Sequence, residues 1–155
     1  MSKISIETNK NLKLINVLIR KKKMVKVVDL YKEITKYTNF LSVAKIQTKG
    51  PLITRQYNSQ IDENGILYSD FDLMVQTTKT LKANSALNTQ FKGNVNVPNC
   101  LYSKFKGSIE DIEYVQSKMK IHIWEEDLID SGEEYMVYLE NSQGLAEIDL
   151  FKPIA

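Results

Sequence analysis

One cysteine in 155 residues leaves no internal disulfide, and a single thiolate cannot build a zinc knuckle or a CxxC redox pair. Such sparing use of cysteine fits a reducing compartment. Histidine is equally scarce: His122 stands alone, and one imidazole without partners is a poor metal or haem anchor. With 3 prolines and 6 glycines the chain has neither a fibrous repeat nor a linker-type composition. No stretch approaches the ~20 apolar residues that cross a bilayer, and the first residues, Met1 to Glu7, have no apolar signal-peptide core. These absences predict a cytoplasmic protein with no membrane partner, no metal and no cofactor. A net charge of +2 imposes no nucleic-acid partner either.

Hydrophobic content of 43% and charged content of 26% are those of an ordinary globular chain, large enough for one core without staples. Leu12 to Ile19 is apolar and β-branched, the mark of a buried strand. Behind the basic run Arg20-Lys21-Lys22-Lys23, the residues Met24, Val27, Val28, Tyr31, Ile34 and Tyr37 recur at spacings of three and four, which predicts a helix of about four turns. Strand-like pieces follow at Leu41 to Gln47 and Leu52 to Tyr57, with Lys49-Gly50-Pro51 as a turn between them. After the turn dipeptide Asn64-Gly65, Leu67 to Val75 alternates, with Phe71, Leu73 and Val75 on one face and Asp70, Asp72 and Met74 on the other.

The same order of signals returns from Cys100. A strand-like run to Phe105 precedes a helix from about Ser108, whose apolar stripe is Ile109, Ile112, Val115, Met119 and Ile123; strands at Glu133 to Glu140 and Leu145 to Lys152 complete the unit. The final strands match: Asp70-Phe71-Asp72-Leu73-Met74 resembles Glu147-Ile148-Asp149-Leu150-Phe151. The expected architecture is therefore α+β, a single domain over 1–155 made of a duplicated strand-helix-strand-strand unit. Its repeats span about 12–76 and 100–154, joined by a linker over 77–99 with room for a short strand near Leu87 to Phe91 or Val95 to Val97. It predicts an antiparallel sheet, two helices and a central pseudo-twofold cleft, a natural place for a ligand.

The run Val97-Pro98-Asn99-Cys100 to Gly107, the helix after it, the strand Tyr135 to Leu139 and the ending Glu147 to Ile154 together resemble the GyrI-like, or bacterial effector-binding, domain. The resemblance implies a cleft between repeats that binds bulky, hydrophobic and often cationic small molecules, in some members as the sensor half of a transcription regulator and in a few as a hydrolase of reactive electrophiles. Only about a dozen residues precede the first strand, too few for a helix-turn-helix, so direct DNA binding is not expected. One departure stands out. Drug-binding members often carry a glutamate two residues before a tyrosine, where this chain has Met136 before Tyr138; Glu134, on the same face by alternation, is the substitute.

The expected ligand site is framed by Tyr57, Tyr102, Phe105, Trp124, Glu134, Met136, Tyr138 and Phe151, since aromatic walls hold flat cations by burial and cation–π attraction. Alternation suggests that Tyr135, Val137 and Leu139 face the helix and that Met136, Tyr138 and Phe151 face away. The acid pairs Asp70/Asp72 and Glu147/Asp149 read as solvated or salt-bridged rather than as a metal or acid–base site, and Cys100 as a buried, inert thiol. Arg20 to Lys23 with Lys26 would crowd a helix N-terminus, against its dipole. The leading expectation is non-catalytic binding of a bulky hydrophobic small molecule, cationic or neutral, in the cleft between the repeats. The alternative is a protein-interaction module that has lost the site, with a protein partner. A hydrolytic role would rest on Glu134 alone.

Overall fold

The computed structural model describes residues 4–81, 89–142 and 144–155. Its elements run β1 (Glu7–Lys26), a 3-10 turn (Val27–Asp29), α1 (Leu30–Val43), β2 (Thr48–Ile61), β3 (Leu67–Thr77), β4 (Thr89–Ser108), a 3-10 turn (Ile109–Asp111), α2 (Ile112–Glu125), β5 (Glu134–Ser142) and β6 (Leu145–Pro153). Strand, helix, strand, strand thus occurs twice. Within each copy the third strand lies between the other two, and equivalent strands pair across the copies, β1 with β4 and β2 with β5. All pairings are antiparallel, and the order β1-β3-β2-β5-β6-β4 closes on itself.

The alternation of the third strands decides where the helices sit. Phe71, Leu73 and Val75 pack with Leu30, Tyr37 and Leu41 of α1, while Ile148 and Leu150 pack with Val115, Met119 and Ile123 of α2. The acids between them point the other way. There the two sheets meet, and Leu12, Leu14, Val17, Ile19, Ile53, Met74, Tyr135 and Val137 fill the interior with Phe151 against them. The faces turned from the helices therefore form a third packed cluster, and the larger cavity between the repeats lies on the helix side.

Several boundaries differ from those read in the sequence. The basic run Arg20 to Lys23 lies within β1, not at a helix start, because β1 pairs with β3 through it (Lys21 opposite Asp72, Lys22 opposite Phe71) and with β4 as far as Arg20, opposite Thr89. Pairing with a distant strand overrides a local helical period. Met24 breaks the register with φ 53°, and its N–H donates to Asp70 Oδ1 at 2.9 Å. The apolar stripe of α1 is accordingly Leu30, Ile34, Tyr37 and Leu41, and Val28 is exposed. Leu41 closes that stripe instead of opening a strand. Lys49-Gly50-Pro51 is an irregularity inside one continuous β2, with Gly50 at φ +78° beside a register shift. Residues 89–99, read as linker, are the first half of β4 and pair with β1; Leu87 lies outside the described residues. Bends in these two long strands fall at Asn9, Asn16 and Asn99, all at positive φ, which asparagine tolerates.

Candidate functional site

Between the two repeats, on the helix side of the sheet, lies a cavity of about 450 Å³. Val27, Gln56, Ser59 and Leu67 of the first repeat form one wall; Glu113, Gln116 and Lys120 of α2, with Asp130, Glu134 and Lys152, form the other. Strand parity explains the floor. Glu134 begins β5 on the face that carries Met136 toward α2, and Lys152 ends β6 on the face of Ile148 and Leu150, so each strand brings one charge to an apolar face where the helix no longer covers it.

Glu134 is half-buried and held by one side-chain hydrogen bond, from Gln116 Nε2 to its Oε2 at 2.9 Å. Burial pushes its carboxyl up, against the pull of that bond and of Lys152 and Lys120. Lys152 is buried and already committed, donating to the Glu133 carbonyl at 3.3 Å and lying 3.0 Å from Asp130 Oδ1. The floor thus presents an underneutralised carboxylate beside a neutralised ammonium.

Of the eight residues expected to frame the site, only Glu134 is among the described lining residues of this cavity. Met136 and Phe105 are buried in the core under α2. The expectation that Met136 and Tyr138 face away from the helix is corrected by the register: Met136 lies opposite Leu150 and Tyr138 opposite Ile148, and directly opposed residues share a face. Phe151 does face away, opposite Tyr135 and against the Tyr102 ring at 5.0 Å. It follows that Tyr135 and Val137 belong to the interior. Tyr138 is half-buried against the core under α2, with its hydroxyl 3.3 Å from Thr54 Oγ1 and its ring edge-on to Tyr31 of α1 at 6.5 Å. Burial pushes both tyrosine hydroxyls up.

Tyr57 and Tyr102 stand on the opposite face, each bonded to an acid of the matched pairs. Tyr57 donates to Asp72 Oδ1 at 3.1 Å, and Tyr102 to Asp149 Oδ1 at 2.7 Å. Arg55 stacks on the Tyr57 ring at 4.0 Å and donates to Asp72 at 3.0 Å and to Glu133 through Nε at 2.7 Å and through Nη2. Asp70 takes bonds from Asn58 and the Met24 N–H, which hold its carboxyl below the usual range, and Lys104 reaches Glu147 at 3.2 Å. The acid pairs are structural, as their spacing with many basic side chains suggested. No group of three or more potential metal ligands occurs among the described residues. Cys100 is buried and its thiol is pushed up to about 11, mainly by that burial.

Trp124 is 79% exposed on the last turn of α2. It touches neither the cavity nor a core cluster. Trp124→Ala should therefore leave the unfolding free energy within about 0.5 kcal/mol of wild type in urea titration, and leave any cleft ligand's affinity unchanged.

Sequence reasoning missed Gln116, Lys120 and Lys152. Lys152 was within reach, as the one charge among alternate β6 positions otherwise held by Ala146, Ile148 and Leu150. Gln116 and Lys120 look like ordinary polar positions of α2, and only the docking of that helix brings them to Glu134.

No family model and no curated protein matches the sequence. Solved structures do match the fold. The C-terminal domain of EcmrR superposes with a TM-score of 0.69 at 9% identity, over 99% of this chain and 97% of that one. A hydrolase encoded by lin2189 from Listeria innocua gives 0.55 at 12% identity, over 99% and 92%. SAV2435, in a structure bound to tetraphenylphosphonium, gives 0.51 at 8% identity, over 99% and 94%. At such identities the likeness is one of fold: an α+β protein with a six-stranded antiparallel sheet and two helices, consistent with the GyrI-like architecture that the sequence resembles.

Proposed function

We propose that this protein binds a cationic small molecule in the cleft between its repeats, with Glu134 as the counter-ion and without chemistry. The observation that carries the reading is a partly buried carboxylate on the floor of a cavity of about 450 Å³, held by a single side-chain hydrogen bond from a neutral amide. A cavity of that size suits a small ligand, and a carboxylate left short of positive charge in a partly dry site gains most from a cation. The binding of tetraphenylphosphonium by a protein of similar fold is compatible with it. The lining is more polar than an aromatic cage, so the ligand's cationic end meets Glu134 and Glu113 while its apolar part lies toward Val27 and Leu67.

Thermal unfolding against lipophilic cations, neutral aromatics and anions tests this. A cation at about 100 times its dissociation constant should add about 2.7 kcal/mol of stability and raise the melting temperature by several degrees; Glu134→Gln should abolish the gain. The unliganded variant should melt no lower than wild type. A carboxyl whose folded pKa is raised favours the fold when protonated, and that contribution is lost as pH rises through the raised value, so the ionised Glu134 is a cost that glutamine removes. By the same linkage, cation affinity should rise with pH across that interval. If anions or neutral aromatics stabilise the protein equally, Glu134 is not the counter-ion.

The interaction-module alternative has one observation of its own. Tyr114, Ile121 and Trp124 are exposed along the outward side of α2, at spacings that place them in one stripe. If no member of the panel shifts the melting temperature, that alternative takes precedence.

A further inference from the structure

We propose that a second, separate cavity on the other face of the sheet is a binding site for small uncharged molecules that have an apolar body and one hydrogen-bonding group. Its volume is about 310 Å³, and it opens between the β2–β3–β5 side of the barrel and the first half of β4. The apolar walls are Ile19, Met74, Val95 and Val97. Tyr135 and the Arg55–Asp72 pair form its inner polar end, and the exposed Lys92, Asn94 and Asn96 form a polar rim.

Tyr135 points to a ligand. The residue is only 6% exposed, yet its hydroxyl makes no hydrogen bond among the described residues. Nor is that oxygen one of the enclosed atoms without a hydrogen bond, which among the described residues are Arg20 Nε and Glu33 Oε2, so it meets accessible space, and the space that Tyr135 lines is this cavity. A buried phenol with no hydrogen-bond partner among the described residues offers both a donor and an acceptor.

Charge settles the class of ligand. Arg55 spends its guanidinium on Asp72 and Glu133, and Asp72 accepts from Arg55 and Tyr57. Lys92, the other charged residue of the lining, is exposed at the rim, where water already solvates its ammonium. In the buried walls neither an ammonium nor a carboxylate would find an uncommitted counter-charge, and each would lose hydration on entry. The volume lies at the lower end for ligand pockets, which favours a single ring over a bulky polycycle. This site differs from the Glu134 cleft in face as well as in chemistry, since adjacent residues Glu134 and Tyr135 point to opposite sides of β5.

The test is titration of the isotope-labelled full chain with phenol, benzoate and benzylammonium, followed by amide chemical shifts. Phenol should give saturable shifts at Ile19, Val95 and Val97, and the two ions should bind at least about tenfold more weakly. Tyr135→Phe should weaken phenol about five- to tenfold, the loss of one hydrogen bond. Val95→Trp, on the half-buried rim, should block binding with the hydroxyl intact, which serves if Tyr135→Phe does not fold. Glu134→Gln should change nothing. Absence of saturable shifts up to the solubility of phenol, equal binding by Tyr135→Phe, or equal affinity for either ion would overturn the proposal and leave a cavity that holds only water.

Discussion

Arg55→Met should lower the unfolding free energy by about 3 kcal/mol, measured by urea titration at neutral pH. The guanidinium bridges Asp72 and Glu133 and covers the Tyr57 ring, so its loss removes three charge-assisted bonds and one stacking contact together. The larger part of the effect comes from what remains. Asp72 is 4% exposed, and without Arg55 its charge would be balanced by the Tyr57 hydroxyl alone. Glu133 is more accessible and can recover water, which keeps the expected loss at the low end for a broken buried pair. The comparison that isolates this cause is Arg55→Met with Asp72→Leu. Removing both charges should recover most of the loss, because a well-filled apolar pair has no carboxylate to desolvate. A double variant as unstable as the single one would show that packing of the arginine stem, not the stranded charge, carries the effect.

What the sequence disclosed follows the range of the forces involved. The stripe of α2 and the alternation of β3 and β6 were legible, because burial of one face imprints a period on neighbouring residues. The duplication was legible for the same reason, through Asp70 to Met74 and Glu147 to Phe151. The state of Arg20 to Lys26 was not, since nothing local makes five basic side chains extended; the β3 ladder does, and its partner residues, Tyr68 to Leu73, are distant in sequence. Parity gave two sets of residues in β5 without saying which meets α2. That depended on the register with β6, a long-range fact. Glu134 could be singled out as a carboxylate beginning a buried strand. Its partner Gln116, and the placing of the Tyr135 hydroxyl at a cavity on the reverse face, are products of docking and of a closed sheet.

Leu73→Ala and Leu150→Ala make the same change at matched positions of the two repeats, and each should cost about 3–5 kcal/mol. Both side chains are fully buried; one lies under α1 and the other under α2, in separate clusters. Each truncation loses the transfer energy of three carbons and leaves a cavity in a packed interior. In a chain of this length the melting temperature should fall by about 10 °C in either case. Because the two clusters share no residue, their effects should add to within about 0.5 kcal/mol in a double variant, assessed with Leu→Val replacements if the double alanine variant does not fold. Additive energies do not imply separate unfolding. Each repeat is a three-stranded sheet joined to the other along both of its edges, β1 to β4 and β2 to β5, so neither can open without exposing two ladders and the interior that Ile53, Met74 and Val137 share. Damage under α1 should therefore lower the single transition of the whole barrel, with far-UV ellipticity and Trp124 fluorescence on α2 moving together. A Leu73→Ala variant that melts in two steps, with the Trp124 signal lagging, would show instead that the second repeat holds its fold alone.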